Sequence, residues 1–196
     1  MKTGFSHETL FEYDESKIRQ YLTNANNSGL LWNDVPERKN LYAQEQTDIT
    51  LLYNLADKTN AVFNKFYINE KIIEESGVDE LFGKISKLTG RVLGRAMFIK
   101  LPPKKSIAKH IDSGHHLQNC ERIHLPIITD EHVKFIIDDV VYPMPAGVVC
   151  RINNNVPHSV DNNSNNYRVH LVMDFVVKND PHYDAPQEEL NRFCEF

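Results

Sequence analysis

His110-Ile111-Asp112 sets an imidazole and a carboxylate two residues apart, and His158 follows later in Val156-Pro157-His158-Ser159-Val160. In a strand, positions i and i+2 face the same side. His110 and Asp112 would then both reach one cation, while Ile111 turns away into packing. His158 would join them from a strand distant in sequence and adjacent in space, as a β-barrel allows. Two imidazoles and one carboxylate form a facial donor set with open positions, the set that non-haem Fe(II) chemistry uses. The bland alternative stays open at this point. With nine histidines in the chain, a surface His-x-Asp beside an unrelated basic residue would look the same.

Arg168 lies in Tyr167-Arg168-Val169-His170-Leu171. Val169, Leu171 and Met173 alternate as apolar positions, so Arg168, His170, Val172 and Asp174 share the other face. A charge on an interior barrel face needs an anionic partner, because an unpaired buried charge is costly. Arg122, His124 and Pro126 share one face of Arg122-Ile123-His124-Leu125-Pro126-Ile127, and by pattern alone His124 is a hydrogen-bonded core histidine. The remaining candidates take ordinary readings first. Arg95 fits an ion pair or the cavity mouth, His170 a supporting or core role, and His115 and His116 a solvated loop. Asp138-Asp139 reads as a hairpin turn and Trp32 as a core anchor, with a substrate wall as its sharper alternative. Zinc-finger spacing, a Gly-rich phosphate loop and a nucleophile elbow are all absent from the sequence.

The elements that must position these residues follow from periodicity. Asp14 to Asn26 reads as a helix, with Asp14 as its N-cap and Ile18, Tyr21, Leu22 and Ala25 on one face. Thr47–Leu55 reads as a strand, and the segment from Asn60 to Tyr67 is ambiguous between strand and helix. Glu70–Ser76 and Asp79–Leu88 read as short helices parted by Gly77 and ended by Thr89-Gly90, with Ile72, Ile73, Leu81, Phe82, Ile85 and Leu88 covering a sheet. Beyond Gly90 the strand candidates are Val92–Leu101, Ser106–Asp112, Arg122–Ile128, Val133–Ile137, Gly147–Ile152, His158–Val160 and Tyr167–Val177. Helices first and many short strands afterwards predict an α+β fold, a double-stranded β-helix (jelly-roll, cupin-like) with helices packed on the outside. The expected organisation is one domain over 1–196: a helical and mixed support region (1–90), a β-helix core (91–177) and a C-terminal tail (178–196).

Composition narrows the function. At 41% hydrophobic and 25% charged residues the chain has the balance of a soluble globular protein. A formal charge of −5 argues against general polyanion binding, so no nucleic-acid partner is expected. No apolar run approaches the roughly 20 residues of a membrane span, and Met1 to Glu8 has no signal-peptide core. Cys120, Cys150 and Cys194 are few and unpatterned, which predicts reduced thiols in the cytoplasm.

Arg91-Val92-Leu93-Gly94-Arg95-Ala96, Leu101-Pro102-Pro103, Ile107 to Gly114, Arg122 to Ile127, Asn153-Asn154 with His158-Ser159-Val160, and Arg168 to Asp174 occur in that order. Together they resemble the aspartyl/asparaginyl β-hydroxylase-like branch of the Fe(II)/2-oxoglutarate-dependent dioxygenases. The resemblance implies that His110, Asp112 and His158 are the iron ligands. It implies that Arg168 binds the distal carboxylate of 2-oxoglutarate, with Arg122 and His124 at its 1-carboxylate end. Some members of the branch lack the carboxylate ligand, whereas this chain keeps Asp112. The implied reaction uses O2 to convert 2-oxoglutarate to succinate and CO2 while hydroxylating an amino-acid side chain, in a peptide or protein or as a free amino acid. Trp32, Arg38, Tyr42, His115, His116 and Gln118 are the expected substrate-side groups. Two other readings stand beside this one: a cupin-like metal enzyme of another reaction type, and a non-catalytic barrel binding module. If Arg168 failed as the cosubstrate anchor, Lys100 would be the next cation to examine.

Overall fold

The computed structural model describes residues 4–27, 32, 47–53 and 67–180, and alternating and helical periods divide these described residues into eleven strands and four helices. The first part runs β1 (His7–Glu12), α1 (Ser16–Asn27), β2 (Thr47–Tyr53), β3 (Tyr67–Ile68), α2 (Glu70–Ser76) and α3 (Asp79–Thr89). The strand-rich part runs β4 (Val92–Leu101), β5 (Lys105–His110), α4 (His115–Asn119), β6 (Glu121–Ile128), β7 (Val133–Ile137), β8 (Val140–Tyr142), β9 (Val148–Ile152), β10 (His158–Asn162) and β11 (Arg168–Val176). The seven-stranded sheet has the order β1-β9-β6-β11-β4-β2-β3, and the four-stranded sheet β5-β10-β7-β8. All pairings are antiparallel. This is the antiparallel jelly-roll architecture that the sequence predicts.

Two apolar clusters account for its layering. The larger lies between the outer face of the seven-stranded sheet and the helices. Ile18 and Leu22 of α1, Ile72 and Ile73 of α2, and Leu81, Phe82 and Ile85 of α3 meet Phe98, Leu125, Leu171 and Met173 there. Full burial of one such side chain contributes about 1.5–3 kcal/mol, so this cluster holds the helices to the sheet. Leu88, expected on the same face, is instead 57% exposed. The smaller cluster, with Leu101, Phe135, Ile137, Ile152 and Val160, fills the space between the sheets.

β11 shows how one strand serves both layers. It is buried along its whole length, with Val169, Leu171, Met173 and Phe175 in the helix-side cluster. Arg168 and Val172 line the interior cavity. A strand buried on both faces ordinarily reads as continuously apolar, and the four-residue polar or small set Arg168, His170, Val172 and Asp174 marks where this interior does chemistry.

Local signals settled most boundaries. Asp14 accepts the Ser16 N–H at 3.0 Å as α1 begins. Asp138 and Asp139 both take positive φ, 50° and 63°, forming the tight β7–β8 turn. β1 was not foreseen; His7–Glu12 joins the sheet edge by pairing with β9. Its alternation is weak because both flanks stay partly exposed. Trp32 is half-buried against the helix-side cluster, with the Lys100 ammonium 4.2 Å from its ring centroid. Arg38, Tyr42, Cys194, most of the ambiguous 60–67 segment and all but the first residues of the 178–196 tail lie outside the described residues.

Candidate active site

β5 and β10 pair antiparallel with His110 directly opposite His158, and the two rings lie 4.3 Å apart, centroid to centroid. Asp112 stands beside both. Its carboxylate oxygens are 3.7 Å from His110 Nε2 and 4.0 Å from His158 Nε2, and the three ligand atoms fall within 4.8 Å of one another. The imidazoles are oriented alike. His110 Nδ1 lies 2.7 Å from the Ala108 carbonyl oxygen and His158 Nδ1 3.0 Å from that of Val156. A carbonyl only accepts, so these contacts place the ring proton on Nδ1 and leave the Nε2 lone pairs facing Asp112. Burial lowers the pKa of His158, with the Val156 carbonyl and Asp112 opposing the shift, and the neutral ring is the form a metal needs.

Asp112 does not lie on the strand where the sequence places it. β5 ends at His110, Asp112 lies past it, and Ile111 is 53% exposed instead of packed. Other contacts hold the carboxylate. Its own N–H donates to the Asn154 carbonyl at 3.2 Å, the Asn154 side-chain amide donates to its Oδ2 at 3.0 Å, and Arg122 Nη1 donates to the same oxygen. Burial would raise the carboxyl pKa, but Arg122, His158 and the Asn154 bond outweigh it and hold the pKa below the usual value.

Behind this carboxylate lies a charged row that sequence reasoning only half anticipated. In register, Asp174 of β11 sits opposite Arg95 of β4 on one side and Arg122 of β6 on the other. Asp174 is fully buried. It accepts from Arg95 Nε at 2.7 Å and from Arg122 Nε and Nη2 at 2.8 and 3.0 Å. His116 Nε2 of α4 lies 3.2 Å from it. Burial alone would raise its pKa, yet the two guanidiniums hold it well below the carboxylate range. His116, expected in a solvated loop, is thus a buried member of this network, whereas His115 is partly exposed and 3.4 Å from Asp180. His116, Cys120 and Asp174 also lie close enough to suggest a second metal trio. Two guanidiniums already occupy that carboxylate, so a further cation there is electrostatically disfavoured.

A cavity of about 280 Å³ joins the His-Asp-His trio to Arg168 and His124. Arg168 is fully buried, and its Nη2 contacts His170 Nδ1 at 2.7 Å. Its Nε has no partner. Burial pushes its pKa down to about 9, which still leaves it charged at neutral pH. Such a charge needs an anionic partner, and among the described residues no carboxylate forms an ion pair with it. His124 Nε2 is likewise buried without a partner. Its Nδ1 is 3.3 Å from that of His170. Burial and the nearby arginine hold both rings well below an ordinary histidine pKa, so both are neutral. A buried cation with unused donors, facing a cavity, suits a carboxylate ligand.

The fold thus brings His110, Asp112 and His158 together and sets Arg168 and His124 on the walls of the same cavity. Arg122 lines it too, but three of its donors are taken by Asp112 and Asp174. Lys100 packs by Trp32 on the other side of β4, outside the cavity wall. Asn154 and Asp174 were missed as site residues. Asn154 lies in an Asn-Asn-Asn turn, and the family resemblance includes Asn153-Asn154 without giving it a role. Asp174 did carry a local signal: an acid on the face of β11 that also carries Arg168.

Comparisons with known proteins agree with this architecture. The chain matches the family model described as Aspartyl/Asparaginyl beta-hydroxylase over residues 8–178. No curated protein sequence matches it. Among solved structures it resembles an oxidoreductase of the 2OG-Fe(II) oxygenase family from Burkholderia pseudomallei, at 13% identity and TM-score 0.61, covering 93% of this chain and 87% of that one. It also resembles a prolyl-4-hydroxylase from Pseudomonas putida, at 14% identity and TM-score 0.52, covering 89% and 94%. A third is a Trichoplax adhaerens prolyl hydroxylase in complex with a hypoxia inducible factor peptide fragment, at 11% identity and TM-score 0.55, covering 87% and 83%. These likenesses establish a shared fold, and the family match extends over most of the sequence: the chain belongs to the aspartyl/asparaginyl β-hydroxylase family of Fe(II)/2-oxoglutarate-dependent dioxygenases and is a 2-oxoglutarate-dependent hydroxylase.

Proposed function

We propose that this enzyme hydroxylates a C–H of an amino-acid side chain, in a peptide or protein or as a free amino acid, with Fe(II) on His110, Asp112 and His158 and 2-oxoglutarate anchored by Arg168 and His124. The observation that carries the cosubstrate assignment is the Arg168 guanidinium, with no carboxylate partner among the described residues, in the cavity that also opens onto the His-Asp-His trio. Its planar fork suits a carboxylate better than a lysine ammonium would. When bound, the iron would activate O2, the oxidant, while the oxo acid would supply two electrons on conversion to succinate and CO2 and the substrate C–H the other two. The chain's own groups bind and orient them: the Nε2 lone pairs and the Asp112 carboxylate face one point, and apolar walls such as Phe135, Val160 and Val172 keep water scarce. The peptide or amino-acid substrate is favoured by the family match and by the peptide bound to the Trichoplax adhaerens neighbour.

The test is succinate formation from Fe(II), 2-oxoglutarate and O2 against panels of peptides, free amino acids and oligonucleotides, with mass spectrometry for the gain of one oxygen. Stimulation by a peptide or amino acid supports the substrate class; a hydroxylated nucleobase would overturn it while leaving the metal assignment standing. His158→Ala is expected to abolish turnover and to lose tight metal binding, and unchanged affinity for iron in the His110→Ala, His158→Ala double variant would overturn the ligand assignment.

A further inference from the structure

We propose that Arg122, Asp174 and Asn154 are positioning residues for the metal ligand Asp112, so that Arg122 acts on the metal centre and not on the carboxylate of 2-oxoglutarate. The inference rests on the proposed metal site and goes beyond it. Asp112 lies outside the β5 ladder, so strand geometry does not aim its carboxylate. Left to itself, a short loop between a strand end and Gly114 would let that side chain wander. Arg122 and Asn154 both donate to Asp112 Oδ2, which fixes the carboxylate with Oδ1 3.7 Å from His110 Nε2 and Oδ2 4.0 Å from His158 Nε2.

Each of these two donors is itself locked. Arg122 is gripped through Nε and Nη2 by Asp174, which is fully buried and braced from the opposite strand by Arg95. Asn154 is fully buried, and its amide also donates to the Leu117 carbonyl at 2.7 Å, tying the ligand loop to α4. The chain is therefore Arg95 to Asp174 to Arg122 to Asp112, running across three neighbouring strands into the ligand. With Nε, Nη1 and Nη2 all committed to protein carboxylates, Arg122 already has its anionic partners. Arg168 has none among the described residues and remains the cation for the cosubstrate.

The experiment is Co(II) titration of the metal-free full-length protein, followed by the visible d–d absorption, for the parent, Arg122→Lys, Asn154→Ala and Asp174→Asn. The KM for 2-oxoglutarate is measured alongside at saturating Fe(II). Removing partners that orient a metal ligand typically costs about 10–100-fold in metal affinity, and that loss is expected for Arg122→Lys and Asn154→Ala, with a changed Co(II) spectrum and a KM for 2-oxoglutarate within about threefold of the parent. Asp174→Asn strands two buried guanidiniums and is the variant most exposed to misfolding, whereas Asn154→Ala removes no charge and keeps the test open. A double-mutant cycle adds a reading that mere structural damage would not produce: in an Asp112→Ala background, Asn154→Ala should weaken Co(II) binding no further. Parent-like Co(II) affinity in both Arg122→Lys and Asn154→Ala, or a KM for 2-oxoglutarate raised tenfold or more by Arg122→Lys with metal binding intact, overturns the proposal. Failure of the parent to bind Co(II) would instead strike at the ligand assignment on which it rests.

Discussion

At the scale of single residues, Arg168 carries the sharpest consequence. It is a fully buried guanidinium that touches a neutral histidine and the Phe135 ring, with no carboxylate among the described residues paired to it. An arrangement of that kind costs stability in the absence of ligand and is tolerated when a ligand completes it. Arg168→Met, similar in length and without the charge, is therefore expected to stabilise the ligand-free protein. A gain of about 1 kcal/mol would raise Tm by roughly 2–4 °C for a chain of this size. The same variant should lose 2-oxoglutarate binding by two to three decades, following about 3–5 kcal/mol for removing one partner of a buried charged pair. Thermal melts with and without 2-oxoglutarate check both halves. The parent should be stabilised by the cosubstrate and Arg168→Met should not; a variant that melts lower than the parent and still responds to 2-oxoglutarate would contradict the assignment. Cys150 lies against this region without joining its chemistry, because burial pushes its thiol up to about 12 and leaves it protonated.

At the scale of elements, the ligand loop depends on Gly114. This residue takes φ 91° and ψ 157° as it turns the chain from Asp112-Ser113 into α4, a region of backbone space that only glycine enters at low cost. A Cβ there would meet nothing within 4 Å, so the cost of a substitution is backbone strain and not a clash. Gly114→Ala is expected to destabilise by about 1–3 kcal/mol. The change should reach beyond stability, since α4 carries His116 against Asp174 and Leu117 against Asn154. Co(II) affinity measured well below the melting temperature should fall in parallel with Tm. A variant that loses Tm alone would show that α4 docks independently of the ligand loop.

At the scale of the whole molecule, the interior histidines set an acid limit. His116, His124 and His170 are buried and held neutral, with pKa values lowered mainly by burial and, for the last two, by Arg168. In the unfolded chain they titrate at about 6.5, so below that pH the unfolded state binds more protons than the folded one. Their contribution is present in full above pH of about 6.5 and is lost progressively as the pH falls toward their lowered folded values. Asp174 and Asp112 behave in the same direction at lower pH. Their folded pKa values are depressed, so their stabilisation persists above the unfolded carboxylate value and is lost as pH falls through the folded one. Stability should therefore decline in two stages on acidification, first on the histidines and then on the carboxylates. Urea midpoints across pH 4 to 8 would show it. His170→Phe should flatten the upper stage, and an unaltered slope in that variant would assign the stage to other groups.

Periodicity in the sequence specifies most of the elements and the two faces of β11. Val92–Leu101, Val133–Ile137 and Glu70–Ser76 were legible to the residue, because alternation, helical period and Gly or Pro punctuation act within a few residues of chain. The same alternation placed Arg168 and Asp174 together on the cavity side. Which charge meets which was decided only by the tertiary structure. Strand order sets Asp174 between Arg95 and Arg122 and leaves Arg168 facing a cavity, a pairing that depends on register between segments far apart in sequence. Asp112 shows the same limit from the other side: periodicity expected it on a strand, but the strand ends at His110 and long-range hydrogen bonds from Arg122 and Asn154 hold it instead. Local patterns carry no information about those partners, because the energy that selects them comes from charges desolvated together in one interior, and that interior exists only once the sheets have closed.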